Sequence, residues 1–281
     1  MNWRLQIFAK MILARLPIPY SVWKKVGVFQ LGQMNKTVYS EKIFNMHFKH
    51  FAGLQREGGF SMLELGPGDS LLSALFGYLN GAETIYLLDV GDFAGTSIDV
   101  YRDAFDGWCK RNTLTRPSPD FGSLDSFLSS VNASFFTNGL DDFQNIQDNS
   151  IDFIFSHSVL EHIRKAEFDN VFFELFRVSK AGVICSHNVD YMDHLGGAQN
   201  NLRFSDALWE SKFFAESGFY TNRIPAHVLH QKVRDAGFTV LRERFGTWKG
   251  TAADSENIHL DLKDEYDQEL SAPTSSMLLS K

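Results

Sequence analysis

One nine-residue stretch, Met62 to Ser70, constrains the fold of this 281-residue chain more than any other. It has the pattern of a short apolar strand, followed by a glycine turn and the start of a helix. Gly66 and Gly68 allow the backbone to approach a ligand where a Cβ would clash. A second apolar strand ends in Asp89, about 20 residues after the turn. This order of elements is typical of a nucleoside-binding βαβ unit.

The residue type found shortly after the turn distinguishes between the possible classes of cofactor. A dinucleotide-binding turn has a third glycine, three residues after the second, which allows close packing beneath a pyrophosphate. Leu71 occupies that position here. Its side chain disfavours NAD, and with it a dehydrogenase, although that class remains an alternative. A nucleoside cofactor without phosphate is favoured.

The sequence from Glu64 to Gly68 resembles the first motif of class I S-adenosylmethionine-dependent methyltransferases, and Asp89 matches the acid that holds the ribose hydroxyls in that family. The run from Ser156 to His162 resembles the family's fourth-strand motif, which ends in Leu-Glu-His. The resemblance implies S-adenosylmethionine as the cofactor. The candidate cofactor-binding residues lie in the turn and after neighbouring strands: Glu64, Gly66, Pro67, Gly68, Asp69, Asp89, Asn138, Gly139 and His157.

Three of these candidates have alternative interpretations. Asn138 and Gly139 could approach the adenine, but the same pair is typical of an ordinary turn. His157 is expected to face either the cofactor or the acceptor.

Strand and helix patterns alternate along most of the chain. Seven strands are predicted, at about 61–65, 84–89, 133–137, 150–156, 181–186, 238–245 and 274–280. Such alternation requires an α/β fold with a mostly parallel sheet and helices on both faces. We therefore expect a Rossmann-like, seven-stranded sheet. The resemblance implies that the seventh strand is antiparallel.

Residues 1–58 have a mainly helical pattern, broken at Pro17 and Pro19, and are predicted to form an N-terminal helical cap. Residues 59–281 are predicted to form the methyltransferase domain. Residues 1–50 carry eight lysines and arginines and one acid, whereas the whole chain has a net charge of −7. This balance disfavours nucleic-acid binding. The basic segment could contact anionic lipid headgroups at a membrane surface, or it could face the acidic remainder of the chain. The apolar residues among positions 3–16 favour a helix that packs on the core or on a partner.

No apolar stretch is long enough to span a bilayer, and no cleavage site follows an apolar region. We therefore expect a cytoplasmic protein, with peripheral contact at the inner membrane surface as the membrane-associated alternative. The sequence does not predict the oligomeric state.

The densest polar cluster follows the fifth predicted strand. Methyl transfer to a hydroxyl requires removal of its proton, which a histidine or carboxylate can accept near neutral pH. The candidate catalytic residues of this cluster are His187, Asp190, Asp193 and His194. A solvated loop with incidental charges is one alternative. Binding of a divalent cation by the same four side chains is another, but we expect no metal because the metal-dependent methyltransferase motif is not matched clearly.

Residues 187–225 lack a clear period and are predicted to be an acceptor-binding insertion. Arg203 and Arg223 could clamp a phosphate or carboxylate, and Trp209 could line an acceptor pocket or stack on a sugar. Pairing with nearby acids and core packing are the alternatives for these side chains.

The segments from Gly66 to Tyr101 and from His187 to Arg223 resemble a bacterial methyltransferase subgroup that is associated with surface-polysaccharide biosynthesis. The resemblance implies O-methylation of a sugar, either in a small molecule or in a glycan. A protein side-chain methyltransferase and a catalytically silent nucleoside-binding module are the remaining alternatives.

Overall fold

The structure is a computed structural model that describes residues 3–13, 15, 34–54, 58–113, 116–193, 199–248, 257–266 and 272–281. The strands are β1 (Phe60–Leu65), β2 (Ala82–Leu88), β3 (Ala133–Phe136), β4 (Ile151–His157), β5 (Ser179–Asp190), β6 (Thr239–Phe245) and β7 (Thr274–Ser280). The α-helices are α1 (Trp3–Leu13), α2 (Thr37–Ala52), α3 (Leu72–Leu79), α4 (Ile98–Cys109), α5 (Leu124–Ser130), α6 (Lys165–Val178), α7 (Asp206–Trp209), α8 (Lys212–Ala215) and α9 (Ala226–Asp235). Short 3₁₀ helices span Gly139–Asn145, Leu160–His162, Asn200–Arg203 and Leu260–Leu262.

The strands form one seven-stranded sheet in the order β3-β2-β1-β4-β5-β7-β6. β1 pairs in parallel with both β2 and β4, and β2 pairs in parallel with β3. The backbone N–H of Ser150 donates to Val178, and that of Ser158 donates to Asn188, each at 2.9 Å. Because the starts of β4 and β5 adjoin each other, as do their ends, these strands are also parallel.

β7 runs against its two neighbours. At one end of β5, the N–H of Gly182 donates to Lys281 at 3.0 Å, and at the other end that of Tyr191 donates to Pro273 at 2.8 Å. The N–H of Gly246, just after β6, donates to Thr274 at 2.8 Å. The beginning of β7 therefore adjoins the ends of β5 and β6. The expected mostly parallel sheet with an antiparallel seventh strand is confirmed.

The strand order places helices on both faces of the sheet. From β1 the chain crosses through α3 to β2 in one direction, whereas from β4 it crosses through α6 to β5 in the opposite direction. Parallel crossovers are almost always right-handed, so connections that run in opposite directions lie on opposite faces. This arrangement brings the carboxyl ends of the parallel strands to one edge, where ligands of such sheets bind.

The described chain divides into two compact units. One comprises residues 30–157, 174–187 and 279–281. In this unit an aromatic face of α2 packs on β4, where Phe44 lies 6.0 Å from Phe155 and Phe48 lies 5.8 Å from Phe153 between ring centroids. Many of the 26 phenylalanines are therefore core residues, as ring pairs at this spacing pack favourably.

The second unit comprises residues 1–29, 158–173 and 188–278. Ile7 of α1 is buried in an apolar cluster with Trp209 and Phe214, whereas Leu5 and Ile12 are exposed. Within the described residues, each helix is too short or too polar to cross a membrane. Peripheral membrane contact and a separate cap of residues 1–58 stay predictions, and the proposed breaks at Pro17 and Pro19 lie outside the described residues.

The fifth strand is longer than predicted. The sequence indicated a strand ending near residue 186, but β5 continues to Asp190. His187 is therefore part of the strand and does not lie in a loop after it. From His187 to Asp190 the buried side chains of His187 and Val189 alternate with the partly exposed ones of Asn188 and Asp190, which is the period of a strand.

Candidate functional site

The glycine turn lies directly after β1, at the carboxyl edge of the sheet. Gly66 and Gly68 both have φ of +66°, a left-handed conformation that strains any residue with a Cβ. The N–H of Gly66 donates to the carbonyl of Leu88 at 2.8 Å, which fixes the turn to the end of β2. Between the glycines, Pro67 is buried. The turn therefore has a fixed backbone that presents no side chain at either glycine.

Asp89 joins the ends of β1 and β2. Its Oδ2 accepts a hydrogen bond from the N–H of Gly68 at 3.0 Å, and its Oδ1 accepts from the N–H of Val90 at 2.7 Å. Burial raises the pKa of Asp89, while these two hydrogen bonds act in the opposite direction. Each carboxylate oxygen has a second lone pair. Asp89 can therefore hold the turn and accept hydrogen bonds from a ligand diol.

Glu64 has a different environment from Asp89, because it points into the protein. Its side chain is buried, and the hydroxyl of Ser73 on α3 donates to its Oε2. Burial raises the pKa of Glu64 to about 8, and the charge of Asp89 contributes in the same direction. The carboxyl is consequently mostly protonated at pH 7. It ties β1 to α3 beneath the turn, which gives it a structural task whether or not it also contacts a cofactor.

Asp69 is buried within the turn, and its carbonyl accepts a hydrogen bond from the N–H of Gly95 at 3.0 Å. The next residues cover the backbone amides at the N-terminal end of α3. The N–H of Leu71 donates to the hydroxyl of Tyr101 at 3.1 Å, and the N–H of Leu72 faces the hydroxyl of Ser70 at 3.4 Å. Amides of this kind bind phosphate in dinucleotide sites, but here side chains of the protein cover them.

Asn138 and Gly139 follow β3. The N–H of Gly139 donates to the carbonyl of Asp89 at 2.9 Å, and a Cβ at Gly139 would lie 3.2 Å from Cγ1 of Val90. The side-chain amide of Asn138 donates to Asp142 at 3.0 Å, so it stabilises the following 3₁₀ helix. Gly139 thus lies beside Asp89, whereas Asn138 is engaged locally.

Val90 is a candidate ligand contact that sequence reasoning missed. Its side chain is 79% exposed although it is apolar, and it lies between Asp89 and Gly139. Such a surface suits the face of a flat, apolar ring. An apolar residue directly after the strand-end acid was the signal available in the sequence.

Three histidines meet at the carboxyl edge of β4 and β5. Nδ1 of His47 lies 2.8 Å from Oγ of Ser186, and its Nε2 lies 3.3 Å from Nδ1 of His157. Nδ1 of His187 lies 2.8 Å from Oγ of Ser156. His47, on α2, was also missed, because its spacing with the phenylalanines of that helix is typical of a core position.

His187 is enclosed by the protein. Its side chain is only 1% exposed, and burial lowers its pKa to about 3. It is therefore neutral at any physiological pH. The predicted role of His187 as a base that touches the acceptor is not supported by this placement, which instead suits a buried hydrogen bond to Ser156.

The other predicted bases belong to the second unit. Asp190 ends β5, and its Oδ1 accepts from the N–H of Met192 at 2.9 Å while burial raises its pKa. Asp193 is buried, and its Oδ2 accepts from the N–H of Asn200 at 2.6 Å. His194 lies outside the described residues. Within the described residues, no group of three or more His, Cys, Asp or Glu side chains could hold a metal ion.

Arg223 and Trp209 are internal to the second unit. The Arg223 side chain is fully buried, it pairs with Asp206, and its guanidinium carbon lies 5.2 Å from the centre of the Trp209 ring. The indole N–H of Trp209 donates to the carbonyl of Thr221 at 2.7 Å. These contacts support the alternatives of ion pairing and core packing, and they do not present either side chain to an acceptor.

Arg203 is half-buried and bonds to amides. Its Nε donates to Oδ1 of Asn200 at 3.2 Å, and one terminal nitrogen donates to Oδ1 of Asn257 at 2.5 Å. Of the predicted acceptor-binding residues, Arg203 alone keeps part of its side chain at the surface. The structure thus brings the cofactor candidates together in one unit and places Asp190, Asp193 and the acceptor candidates in the other.

No family profile and no curated protein matches this sequence. Solved structures with a similar fold include an S-adenosylmethionine dependent methyltransferase from Mesorhizobium loti, at 12% identity over 85% of this chain and 98% of that chain, with a TM-score of 0.46.

A second example is an arsenic (III) S-adenosylmethionine methyltransferase from Chlamydomonas reinhardtii, at 17% identity over 79% of this chain and 63% of that chain, with a TM-score of 0.43. A third is phosphoethanolamine N-methyltransferase 2 from Haemonchus contortus, in complex with S-adenosyl-L-methionine, at 13% identity over 85% of this chain and 52% of that chain, with a TM-score of 0.45. At these identities and TM-scores the similarity assigns neither an activity nor a ligand to this chain.

Proposed function

We propose that this protein is a methyltransferase that moves the methyl group of S-adenosylmethionine to a hydroxyl group of a sugar, in a small molecule or a glycan. The observation that carries the proposal is the hydrogen bond between Asp89 and Gly68. It holds a carboxylate, which would accept hydrogen bonds from a ribose diol, beside a turn whose glycines leave room for a ligand.

The residues present fit such a ligand. Asp89 would accept hydrogen bonds from the ribose hydroxyls, while Val90 and Gly139 would offer an apolar surface to the adenine. Gly66 and Gly68 would allow the rest of the ligand to lie against the backbone. The cofactor, when bound, supplies an electrophilic methyl carbon on a sulfonium, whose bond to sulfur breaks with its electron pair left on sulfur.

The start of α3 supports a ligand without a phosphate chain. A pyrophosphate would need the free amides of this helix. The N–H of Leu71 already donates to Tyr101, and both side chains are at most 1% exposed. A dehydrogenase that uses NAD is therefore less well supported than a methyltransferase.

The acceptor class rests on sequence. The resemblance of His187 to Arg223 to a polysaccharide-associated subgroup supports a sugar hydroxyl. Since Arg223 and Trp209 are buried, the residues that would hold the sugar are not those two. Arg203 and Asp190, which keep partly exposed side chains, are the better candidates among the described residues.

Calorimetry with S-adenosylhomocysteine and with NAD tests the cofactor. We expect binding of the first and none of the second at millimolar concentration. Binding of NAD alone would overturn the proposal in favour of a dehydrogenase, and binding of neither by the folded protein would also reject it.

Transfer of a tritiated methyl group to a cell extract tests the acceptor. Label in a glycan or sugar fraction that survives mild base is expected for an ether. Label in protein would instead support a side-chain methyltransferase. Cofactor binding without any transfer would support a catalytically silent module.

A further inference from the structure

Three side chains in the first unit form a connected row. Ser186 lies on β5, His47 on α2 and His157 at the end of β4. The ring of His47 spans the other two, with 2.8 Å from Nδ1 to Oγ of Ser186 and 3.3 Å from Nε2 to Nδ1 of His157. His47 thus uses both ring nitrogens within the protein, and it fixes one of the two nitrogens of His157.

A neutral imidazole carries only one proton, so the two hydrogen bonds of the row must both donate in the same direction along it. If Nδ1 of His157 donates to Nε2 of His47, then Nδ1 of His47 donates to the hydroxyl of Ser186. In that pattern Nε2 of His157 has a free lone pair and can accept a proton. The opposite pattern would leave a proton on that nitrogen, and His157 could not act as a base.

His157 is also the one member of the row that is open to a ligand. His47 is 1% exposed, whereas His157 is only partly buried. Within the described residues, no hydrogen bond engages Nε2 of His157. β1 and β4 are in register at Leu65 and Ser156, and Gly66 and His157 come directly after these two residues along the chain. His157 therefore adjoins the glycine turn at the ligand-binding edge of the sheet.

We propose that His157 is the catalytic base that accepts the proton of the acceptor hydroxyl, and that His47 is the positioning residue that holds His157 in the tautomer this requires. The inference rests on the proposed function. As the acceptor oxygen bonds to the methyl carbon, its proton passes to Nε2 of His157, and the electron pair of the broken carbon–sulfur bond stays on sulfur. The products are a methyl ether, a thioether and an imidazolium.

The electrostatic surroundings suit a neutral base. Burial lowers the pKa of His157, and it lowers that of His47 further, with the nearby histidine charges acting in the same direction. The other charged or titratable groups that face His47 are His187, Lys49 and His50. None of these groups is an acid, so within the part of the chain that the structure describes no carboxylate is seen to compete for the hydrogen bond between His47 and His157. The positive charge that forms in the reaction stays on His157, because His47 is the more deeply buried of the two.

The tautomer can be observed without any substrate. Long-range ¹H–¹⁵N spectra of the ¹⁵N-histidine-labelled full chain distinguish a protonated ring nitrogen from an unprotonated one. We expect His157 to carry its proton on Nδ1 in the wild type and in His47→Gln, whose side-chain oxygen can accept the hydrogen bond. We expect the proton to move to Nε2 in His47→Phe. Wild-type protein with the proton on Nε2 would overturn the proposal.

Two further variants guard against misfolding. Ser186→Ala removes the hydroxyl that anchors His47 at little cost in volume, and it should mix the two tautomers. His50→Phe changes a histidine one turn along the same helix and should leave the tautomer of His157 unchanged. A shift in His50→Phe equal to that in His47→Phe would mean that the helix, and not the hydrogen bond, sets the tautomer.

Labelled methyl transfer into an extract supplies the second readout. We expect His157→Ala to lower the rate about 100-fold or more, as is usual for loss of a general base. His47→Phe should lower it at least about tenfold, with most of the rate restored in His47→Gln. Affinity for S-adenosylhomocysteine should stay within about twofold in His47→Phe and His47→Gln.

The two proposals fail in different ways. If neither the wild-type protein nor any of the variants binds S-adenosylhomocysteine, the proposed function is wrong. If all bind it and transfer continues at full rate in His157→Ala, only the assignment of the base is wrong.

Discussion

The carboxylate of Asp89 and the backbone N–H of Gly68 are joined by a 3.0 Å hydrogen bond that links the ends of two neighbouring strands. The bond connects the turn that gives access to the backbone with the acid that can hold a diol. It also means that Asp89 has a structural task before any ligand arrives. Experiments on this residue must therefore separate folding from binding.

Replacing Asp89 by Ala should weaken binding of S-adenosylhomocysteine at least about tenfold, because charged hydrogen bonds to the ligand are lost. Calorimetry measures the affinity, and circular dichroism confirms that the variant is folded. Asp92→Ala is a matched control, since Asp92 lies three residues further along the same loop. Unchanged affinity in a folded Asp89→Ala protein would refute the ribose role.

Gly68→Ala should destabilise the protein by about 1–2 kcal/mol, because alanine is strained at a φ of +66°. Gly107→Ala is its opposite control. Gly107 lies within α4, and a Cβ there would meet no atom within 4 Å. Alanine at Gly107 should stabilise the helix by about 0.5–1 kcal/mol. Urea denaturation of both variants measures the difference, and equal effects would contradict the conformational argument.

The stability of the protein should fall between pH 5 and pH 8 through Glu64. Its pKa is raised from 4.5 to about 8 on folding, so in this range the folded state holds a proton that the unfolded state has released. The stabilisation is complete below the unfolded pKa and is lost as the pH rises through the folded pKa, with a slope of up to about 1.4 kcal/mol per pH unit.

Glu64→Gln removes this titration while keeping the size of the side chain. The variant should match the wild type near pH 4 and exceed its melting temperature by a growing margin up to pH 8. Glu83→Gln, at an exposed position of β2, is the matched control for the substitution itself. A difference between Glu64→Gln and wild type that is constant with pH would show that Glu64 titrates normally.

Arg223→Met should reduce the free energy of unfolding by about 2–4 kcal/mol, because the guanidinium is buried, pairs with Asp206 and donates to Phe204 at 2.7 Å. Asp206 is 40% exposed, so water can replace its partner and limit the cost. Lys212→Met, at an exposed ion pair, should change stability by less than about 0.5 kcal/mol. If the Arg223→Met protein has unchanged stability but reduced methyl transfer, Arg223 contacts the acceptor, as the sequence predicted.

Most of the fold could be predicted from the sequence because local patterns determine it. Strands are marked by runs of apolar residues and are bounded by glycine-containing turns. Accordingly, β1, β4, β6 and β7 begin within one residue of their predicted starts. β5 was cut short because His187 and Asp190 suggested a loop. Burial of a histidine becomes possible only when a partner such as Ser156 lies on the next strand, and sequence does not show that partner.

The glycine turn and its strand-end acid could be read from the sequence, whereas the contacts among more distant residues could not. Gly66, Gly68 and Asp89 are close in sequence, and their types follow from backbone geometry. The pairing of His47 with His157 spans 110 positions, and that of Arg223 with Asp206 depends on how a region without clear periodicity folds on itself. An arginine in such a region has the same appearance in sequence whether it meets a ligand or an internal acid.

β7 is made after β5 and β6, and yet it lies between them. A nascent chain therefore cannot hold β6 in its final place until residues 274–280 have left the ribosome. Until then β5 and β6 both present open edges, which favour pairing with other chains and aggregation. Loss of these seven residues would thus remove an interior strand of the sheet and not an edge strand.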